Sequence, residues 1–239
     1  MVKPKRALIL AAGLGSRLQH KTKEIPKALV EVKGKPIISH QLAALEKNNI
    51  LDVGVVLGYK GELLKQYLTK THSNFNFSFF INKDFESSNS AYSFYIASEY
   101  VRNEQYVHLN CDILFSHQLL NKLLTSKYEN VIAINTCIKL SDNMELVELD
   151  EFHRINKMDN TFFEKAVGKA YGVAKLSPES SRFIIEKIES FIKKGDLNQN
   201  YYGMIRHAVK YFDYFAINSS DMLLAEINTL SDFDKVVST

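Results

Sequence analysis

The stretch Leu8-Ile9-Leu10-Ala11-Ala12-Gly13-Leu14-Gly15-Ser16-Arg17-Leu18 decides how this chain is read. An apolar run of strand character stops at two glycines, and a cation follows them. Glycine lets the backbone turn tightly and bring its N–H groups close to an anion. The guanidinium of Arg17 adds a planar fork suited to phosphate oxygens. Next comes Ile25-Pro26-Lys27-Ala28-Leu29, where a proline stiffens the approach to a second strand and a lysine stands directly behind it. A Gly-x-Gly after a strand also serves as an ordinary strand-to-helix turn, so its flanks carry the information. Two common phosphate loops are absent: Gly-x-Gly-x-x-Gly would need glycine where Leu18 stands, and no Gly-x-x-x-x-Gly-Lys-Ser/Thr occurs.

Outward from that stretch, strand and helix patterns alternate, the mark of an α/β fold with a mixed, mainly parallel central sheet flanked by helices. Residues 28–32 read as a short strand, and Pro36 as the first residue of a helix with Ile37, Ile38, Leu42 and Leu45 on one face. Val53 to Leu57 reads as a buried strand running into Gly58-Tyr59-Lys60-Gly61. Phe75, Phe77, Phe79 and Ile81 alternate with polar residues and predict a half-exposed strand. Tyr106 to Leu109 predicts a strand ending at Asn110-Cys111-Asp112, after which Ser116 caps a helix. Two antiparallel strands are expected between Met144 and Lys157, a strand over 170–176, and a long helix capped by Ser177-Pro178 and stopped at Gly195. Strands near 214–217 and 223–227 and a last helix from Leu230 complete the pattern. Residues 1–239 are expected to form one domain, whose first half binds nucleotide and whose region 140–225 forms an acceptor-binding lid over the strand ends.

Composition narrows the function classes. At 239 residues, 46% apolar and 24% charged, the chain is ordinary for a globular protein. A net charge of +3 is too small to imply nucleic acid or a membrane surface as partner. The apolar run 7–12 is too short for a signal peptide core, and no run approaches the ~20 residues that span a bilayer. Cys111 and Cys137 lack paired spacing and read as reduced and buried, which with the missing leader predicts a cytoplasmic protein. The seven histidines show no ligand spacing.

Leu-Ala-Ala-Gly-x-Gly-x-Arg-Leu followed by Pro-Lys-x-Leu resembles the signature of nucleotidyltransferases that join an NTP to a phosphorylated acceptor and release pyrophosphate. Together with Gly58-Tyr59 and Asn89-Ser90-Ala91-Tyr92-Ser93, it resembles the bacterial phosphocholine and aminoalkylphosphonate cytidylyltransferases, from Lys5 to about Asp112. Sugar-1-phosphate nucleotidyltransferases usually carry Gln and a Gly-rich turn at the Asn89–Ser93 position. In the second half the likeness thins to Gly172, Tyr201-Tyr202 and Glu226-Ile227-Asn228-Thr229.

That resemblance implies a Rossmann-like domain and a Mg²⁺-dependent transfer of CMP from CTP to a small phosphorylated or phosphonate acceptor. Nucleotide contacts then fall on Leu10, Ala11, Ala12, Gly13, Leu14, Gly15, Ser16, Arg17, Lys27, Gly58, Tyr59, Asn89, Ser90 and Asp112. Arg17, Lys27 and Asp112 are the implied catalytic residues: Arg17 neutralises the leaving pyrophosphate, Lys27 bridges the α-phosphate and the incoming oxygen, and Asp112 with Asn228 holds Mg²⁺. Many relatives have aspartate at the position of Asn228. Asn89 and Ser90 are placed beside the pyrimidine, although helix capping explains the same residues. Acceptor contacts are expected from Glu145, Lys157, Lys169, Tyr171, Tyr202 and Glu226.

Relatives often have lysine where Glu145 stands and glutamate where Lys169 stands, which implies a charge pair of reversed polarity if both face the acceptor. Both as solvated surface charges is the plainer alternative. A sugar-1-phosphate nucleotidyltransferase and a non-catalytic nucleotide-binding protein are the rival readings. The oligomeric state stays open, a homo-oligomer included.

Overall fold

The computed structural model describes residues 3–238. Strand β1 (Arg6–Ala11) is the centre of a nine-stranded sheet. The chain leaves it through the glycine loop and two short 3₁₀ turns, Ser16–Thr22 and Lys27–Leu29. It then forms a small hairpin of β2 (Glu31–Val32) and β3 (Lys35–Pro36). Helix α1 (Ile37–Glu46) begins one residue beyond Pro36, which sits at the cap; of the strand expected over 28–32, residues 31 and 32 are strand and 28 and 29 belong to the second 3₁₀ turn. Then come β4 (Asp52–Leu57), α2 (Gly61–Thr71), β5 (Asn76–Ile81), α3 (Ser90–Ile96), α4 (Ser98–Val101) and β6 (Tyr106–Asn110). In space these strands lie β6-β1-β4-β5, all parallel.

The chain therefore crosses from the β5 edge back to the far side of β1, which makes the β1/β6 gap the point where strand order reverses. In open α/β sheets ligands bind just outside the carboxyl ends of the strands at such a point. The ends in question are Ala11, leading into the glycine loop, and Asn110, leading into Asp112.

Beyond β6 the chain forms β7 (Ile113–Phe115), α5 (His117–Thr125), β8 (Asn130–Asn135), β9 (Leu146–Leu149), β10 (Ile155–Asp159) and β11 (Gly168–Leu176). Helices α6 (Pro178–Ile192) and α7 (Tyr201–Ala208), strands β12 (Tyr214–Asn218) and β13 (Leu224–Glu226), and α8 (Leu230–Ser238) follow. Strand β11 runs antiparallel to β6 and extends the sheet; β8 and β9 both pair with it, and β12 and β10 lie outside them. Much of the region expected as a lid is thus part of the sheet. The reason is visible in β11, whose nine residues are nearly all buried and can find partners only inside a sheet.

Alternation along β1 divides the core. Ala7, Ile9 and Ala11 face α1, α2 and α5, while Leu8, Leu10 and Ala12 face α3, α6 and α7. A third, smaller cluster of Leu18, Val30, Val32, Ile37, Leu114 and Ile227, with Phe233 and Val236 of α8, packs under the glycine loop. Capping follows chemistry: Ser116 Oγ accepts from Leu119 N at 3.2 Å, and Ser177 Oγ from Ser180 N at 3.2 Å. Cys111 is buried, but Cys137 is exposed in the turn after β8, against expectation. Among the described residues no helix is long and apolar enough to cross a membrane.

Lys175 on β11 is only 2% exposed, and its ammonium donates to the Ser126 carbonyl at 2.9 Å. Burial lowers its pKa to about 8, with Glu129 pulling the other way. An unfolded lysine holds its proton to about pH 10.4, so between about 8 and 10.4 the unfolded chain binds more protons and stability rises with pH. Lys175→Met is expected to exceed the wild type in urea unfolding at pH 7. Its advantage should shrink by on the order of 2–3 kcal/mol between pH 8 and 10.4. A difference that does not change with pH would contradict this.

Candidate active site

The glycine loop is held from both sides. Gly15 adopts φ +66°, and a β-carbon there would meet Lys27 Cβ and Thr22 Cγ2 at 3.1 Å. Glycine is required for the turn and for seating Lys27 against it. Thr22 Oγ1 closes the loop by donating to the Gly15 carbonyl at 2.9 Å. Gly13 differs, since nothing lies within 4 Å of where its β-carbon would be; it borders open cleft, where a ligand can approach the backbone. Gly58 and Tyr59 do not line the cleft. A β-carbon on Gly58 would lie 2.4 Å from the Ala12 carbonyl, and Tyr59 donates through its N–H to that carbonyl (3.0 Å) and through its hydroxyl to Lys23 O (2.9 Å). Both residues brace the loop from behind, and Ala11 is buried in the sheet. Leu10, Ala12, Gly13, Leu14, Gly15, Ser16, Arg17, Lys27, Asn89, Ser90 and Asp112 do line the cavity, of about 410 Å³.

At its floor four side chains from distant parts of the chain meet. Strand β13 pairs antiparallel with β7, and Ile227 N–H donates to the Asp112 carbonyl at 2.9 Å, which sets Asn228 opposite Asp112. The Asp232 carboxylate fixes Asn228 further, accepting from Asn228 N (3.1 Å), Thr229 N (2.9 Å) and Thr229 Oγ1 (2.9 Å). Burial opposes the Asp232 charge, but these hydrogen bonds outweigh it and hold the pKa below the ordinary aspartate value. Lys27 Nζ donates to Asp112 Oδ2 at 2.7 Å and to Asn228 Oδ1 at 2.8 Å, and Arg17 donates to the same Asn228 oxygen at 2.7 Å. Asp112 Oδ1 is buried without a hydrogen-bond partner.

That donor set fits a small hard cation. Asp112 Oδ1 is an orphaned carboxylate oxygen and Asn228 Oδ1 an amide oxygen anchored by its own backbone. Mg²⁺ is commonly bound by one or two carboxylates with waters and phosphate oxygens filling the other positions. No cluster of three or more His, Cys, Asp or Glu side chains occurs among the described residues, so most ligands would come from solvent and substrate.

A second cavity of about 190 Å³ adjoins the first, between the ends of β6 and β11 and helix α7. Glu145, Lys169, Tyr202 and Glu226, four of the residues expected to contact the acceptor, line it. Glu145 and Lys169 are not a pair, however. Lys169 bonds Glu226 at 2.5 Å, while Glu145 Oε2 lies 3.8 Å from Arg206 Nε, too far for a hydrogen bond. With side-chain exposures of 19% and 15%, neither is a solvated surface charge. Burial raises the Glu145 pKa, with Arg206 opposing; for Lys169, burial is outweighed by Glu226, which holds the ammonium protonated. The Tyr202 hydroxyl donates to the Tyr171 carbonyl. Tyr171 lies beneath the Lys169 ammonium, its ring 4.6 Å away, and borders a neighbouring groove. Lys157 belongs elsewhere: it sits over the Phe163 ring at 4.1 Å and 3.7 Å from Asp159, in a separate cavity that Arg206 and His207 also line. Arg206 was not foreseen, although Tyr202 and Arg206 are four apart on one helix and so share a face.

Fold and site together define an α/β nucleotidyltransferase, with a glycine loop at the sheet's switch point and cations converging on an acidic strand end. The chain belongs to the MobA-like NTP transferase domain family, whose model matches residues 7–138. It is 34% identical over 134 residues to the CTP:phosphoglutamine cytidylyltransferase of Campylobacter jejuni, spanning 54% of this chain and 52% of that one, about half of its length. Against the choline-phosphate cytidylyltransferase of Streptococcus pneumoniae it is 26% identical over 97% of this chain and 96% of the relative. The solved structure of CTP:phosphocholine cytidylyltransferase from Streptococcus pneumoniae superposes with a TM-score of 0.81, covers 98% of both chains at 21% identity, and shares the fold.

The two loop glycines separate stability from binding. Gly15→Ala is expected to cost about 1–3 kcal/mol, the scale of a left-handed non-glycine residue. Gly13→Ala should stay within about 0.5 kcal/mol of wild type while weakening triphosphate binding at least ~10-fold, because its methyl enters the cleft. Urea melts with titration calorimetry check both; equal destabilisation by the two would refute the division.

Proposed function

We propose that the protein transfers CMP from CTP to a small acceptor bearing a phosphate or phosphonate, with Mg²⁺ as cofactor. An acceptor oxygen forms a bond to the α-phosphorus as the bond from that phosphorus to the bridging oxygen breaks, and pyrophosphate leaves with that electron pair. No general base is needed, because the attacking oxygen is already anionic. The reading rests on one observation: Lys27 and Arg17 converge with Asp112 and Asn228 at the floor of the glycine loop.

Both reactants are anions, so the protein must screen their repulsion and hold them in line. The loop N–H groups bind the triphosphate, Arg17 neutralises the leaving group, and Lys27 follows the α-phosphate as a compact, mobile charge. When bound by Asp112 and Asn228, Mg²⁺ would add Lewis-acid polarisation of the phosphates. Ser90 has a hydroxyl oxygen that accepts from Tyr201 N at 2.9 Å, which leaves its proton free to face the base. Asn89 caps α3 through its own oxygen, at 2.7 Å from Ser90 N, so its contact with the base is limited to the amide N–H₂. The acceptor's far end faces Glu145 Oε2, which is buried and has Arg206 Nε at 3.8 Å but no hydrogen bond. The rings of Tyr201 and Tyr202 are packed away at 1% and 5% exposure, so the pocket favours a primary ammonium that donates hydrogen bonds over a quaternary one held by aromatic faces.

Pyrophosphate release over a matrix of four NTPs and a panel of acceptors tests this reading. CTP is expected to exceed UTP by more than ~10-fold, since the two differ in donor and acceptor pattern at one ring edge. A small amino-phosphonate should be used better than phosphocholine. Equal use of UTP, preference for a purine, or efficient turnover of phosphocholine would overturn the corresponding part. For the metal, Asp112→Asn should nearly abolish turnover while Asn228→Asp retains it and tightens Mn²⁺ binding measured by electron paramagnetic resonance. The reverse order would show that the ion is held elsewhere.

A further inference from the structure

Six residues line both cavities: Arg17, Ser90, Asn110, Asn200, Glu226 and Asn228. Besides Asn110, each has at least one polar group engaged: Arg17 with Asn228, Asn228 also with Lys27, Glu226 with Lys169, and Ser90 through its oxygen with Tyr201 N. Asn200 caps α7 through its oxygen, at 2.7 Å from Tyr202 N. Asn110 is held by a buried ring. Its Oδ1 lies 3.0 Å from His108 Nε2, and no described residue accepts from its Nδ2. Only donors therefore face the cleft.

His108 sets that orientation through the cost of the alternative tautomer. Its ring is fully buried and stacks on Tyr201, with centroids 4.2 Å apart. Burial lowers its pKa to about 4, so it is neutral and carries one ring proton. Nδ1 is buried without a partner, so a proton there would be an unmade buried donor; the lower-cost tautomer carries the proton on Nε2, which donates to Asn110 Oδ1. The facing wall is shaped to match. A β-carbon on Gly172 of β11 would lie 2.5 Å from Asn110 Cγ and Nδ2, so any larger residue there would drive the amide out of place. This contact also shows that the side chain leans toward β11 and the acceptor cavity, away from the glycine loop on β1.

We propose that Asn110 is a substrate-contacting residue whose amide N–H groups bind the phosphoryl oxygens of the acceptor where the two cavities meet, and that His108 is the positioning residue that fixes the amide. This rests on the transfer reading above. The chemistry follows from the donor inventory: a group with only N–H to offer binds an anionic oxygen, and it does so without adding a cation that would compete with Lys27 for the reacting oxygen.

The decisive variant is Asn110→Asp, which keeps the shape and the bond from His108 but replaces both donors by a carboxylate. Acceptor kcat/KM is expected to fall at least ~100-fold with KM for CTP within ~3-fold of wild type, beyond the roughly 10-fold scale of one lost hydrogen bond because like charges now meet. His108→Leu should lower acceptor kcat/KM about 10-fold, and His108→Gln, which can donate again, should restore much of it. If His108→Leu does not fold, Asn110→Asp carries the test alone. Retained acceptor kcat/KM in Asn110→Asp, or a loss falling equally on CTP, would overturn the proposal. A second readout is independent of turnover: the side-chain NH₂ resonances of Asn110, assigned with the variant, should shift on titration with methylphosphonate, the smallest molecule carrying the reacting group. A wild type that transfers CMP to no acceptor would defeat the transfer reading. The methylphosphonate titration then decides for Asn110 by itself, and unmoved resonances would overturn it.

Discussion

One ammonium group organises the cleft. Lys27 Nζ lies within hydrogen-bond distance of both Asp112 and Asn228, and Arg17 reaches the same Asn228 oxygen. Without these contacts three chain ends would repel or drift: the glycine loop, the turn after β6 and the lead-in to α8. The Asp112 carboxylate would also stand at the end of β6 with little compensation, and an unpaired, partly buried charge is costly. The cluster therefore ties the three segments together and gathers charges that an anionic ligand would engage. The packing of Leu18, Ile227 and Phe233 beneath it gives the cluster a rigid base.

The same arrangement explains why asparagine is workable at position 228. An aspartate there would put a second negative charge beside Asp112, and Lys27 and Arg17 would be held harder. The neutral amide still offers an oxygen to both cations and takes its position from Asp232, which binds its backbone and not its side chain. The acceptor side is built on a related economy of charge. Lys169 is neutralised by Glu226, whereas Glu145 keeps one oxygen without a hydrogen bond.

Much of this was legible in the sequence because it is local. The apolar run, the glycine that must adopt positive φ and the proline before Lys27 act within a few residues, and their consequences follow from backbone sterics. Pairings across the chain were not legible: Arg17 meets Asn228 only because β13 adds to β7. Gly58 and Tyr59 read as ligand contacts since they end a strand beside the site, yet packing decides their role, and they fill the space behind Ala12. Lys157 fails for a geometric reason. A bulge between β9 and β10 precedes it, and its side chain lies over Phe163 in a cavity apart from the one that Glu145 lines. Strand β11 read correctly as a strand, but nothing in its sequence says that it joins the sheet antiparallel to β6 and carries β8 and β9 with it.

The most direct measurement is a crystal structure with Mg²⁺ and a non-hydrolysable CTP analogue bound, compared at the four side chains of the cluster. The account predicts that Lys27 Nζ leaves Asp112 Oδ2 and Asn228 Oδ1 for an α-phosphate oxygen, that Arg17 turns to the β- and γ-phosphates, and that the backbones of Asp112 and Asn228 stay in place. A complex in which Lys27 remains bonded to both residues, with the nucleotide held away from them, would contradict it.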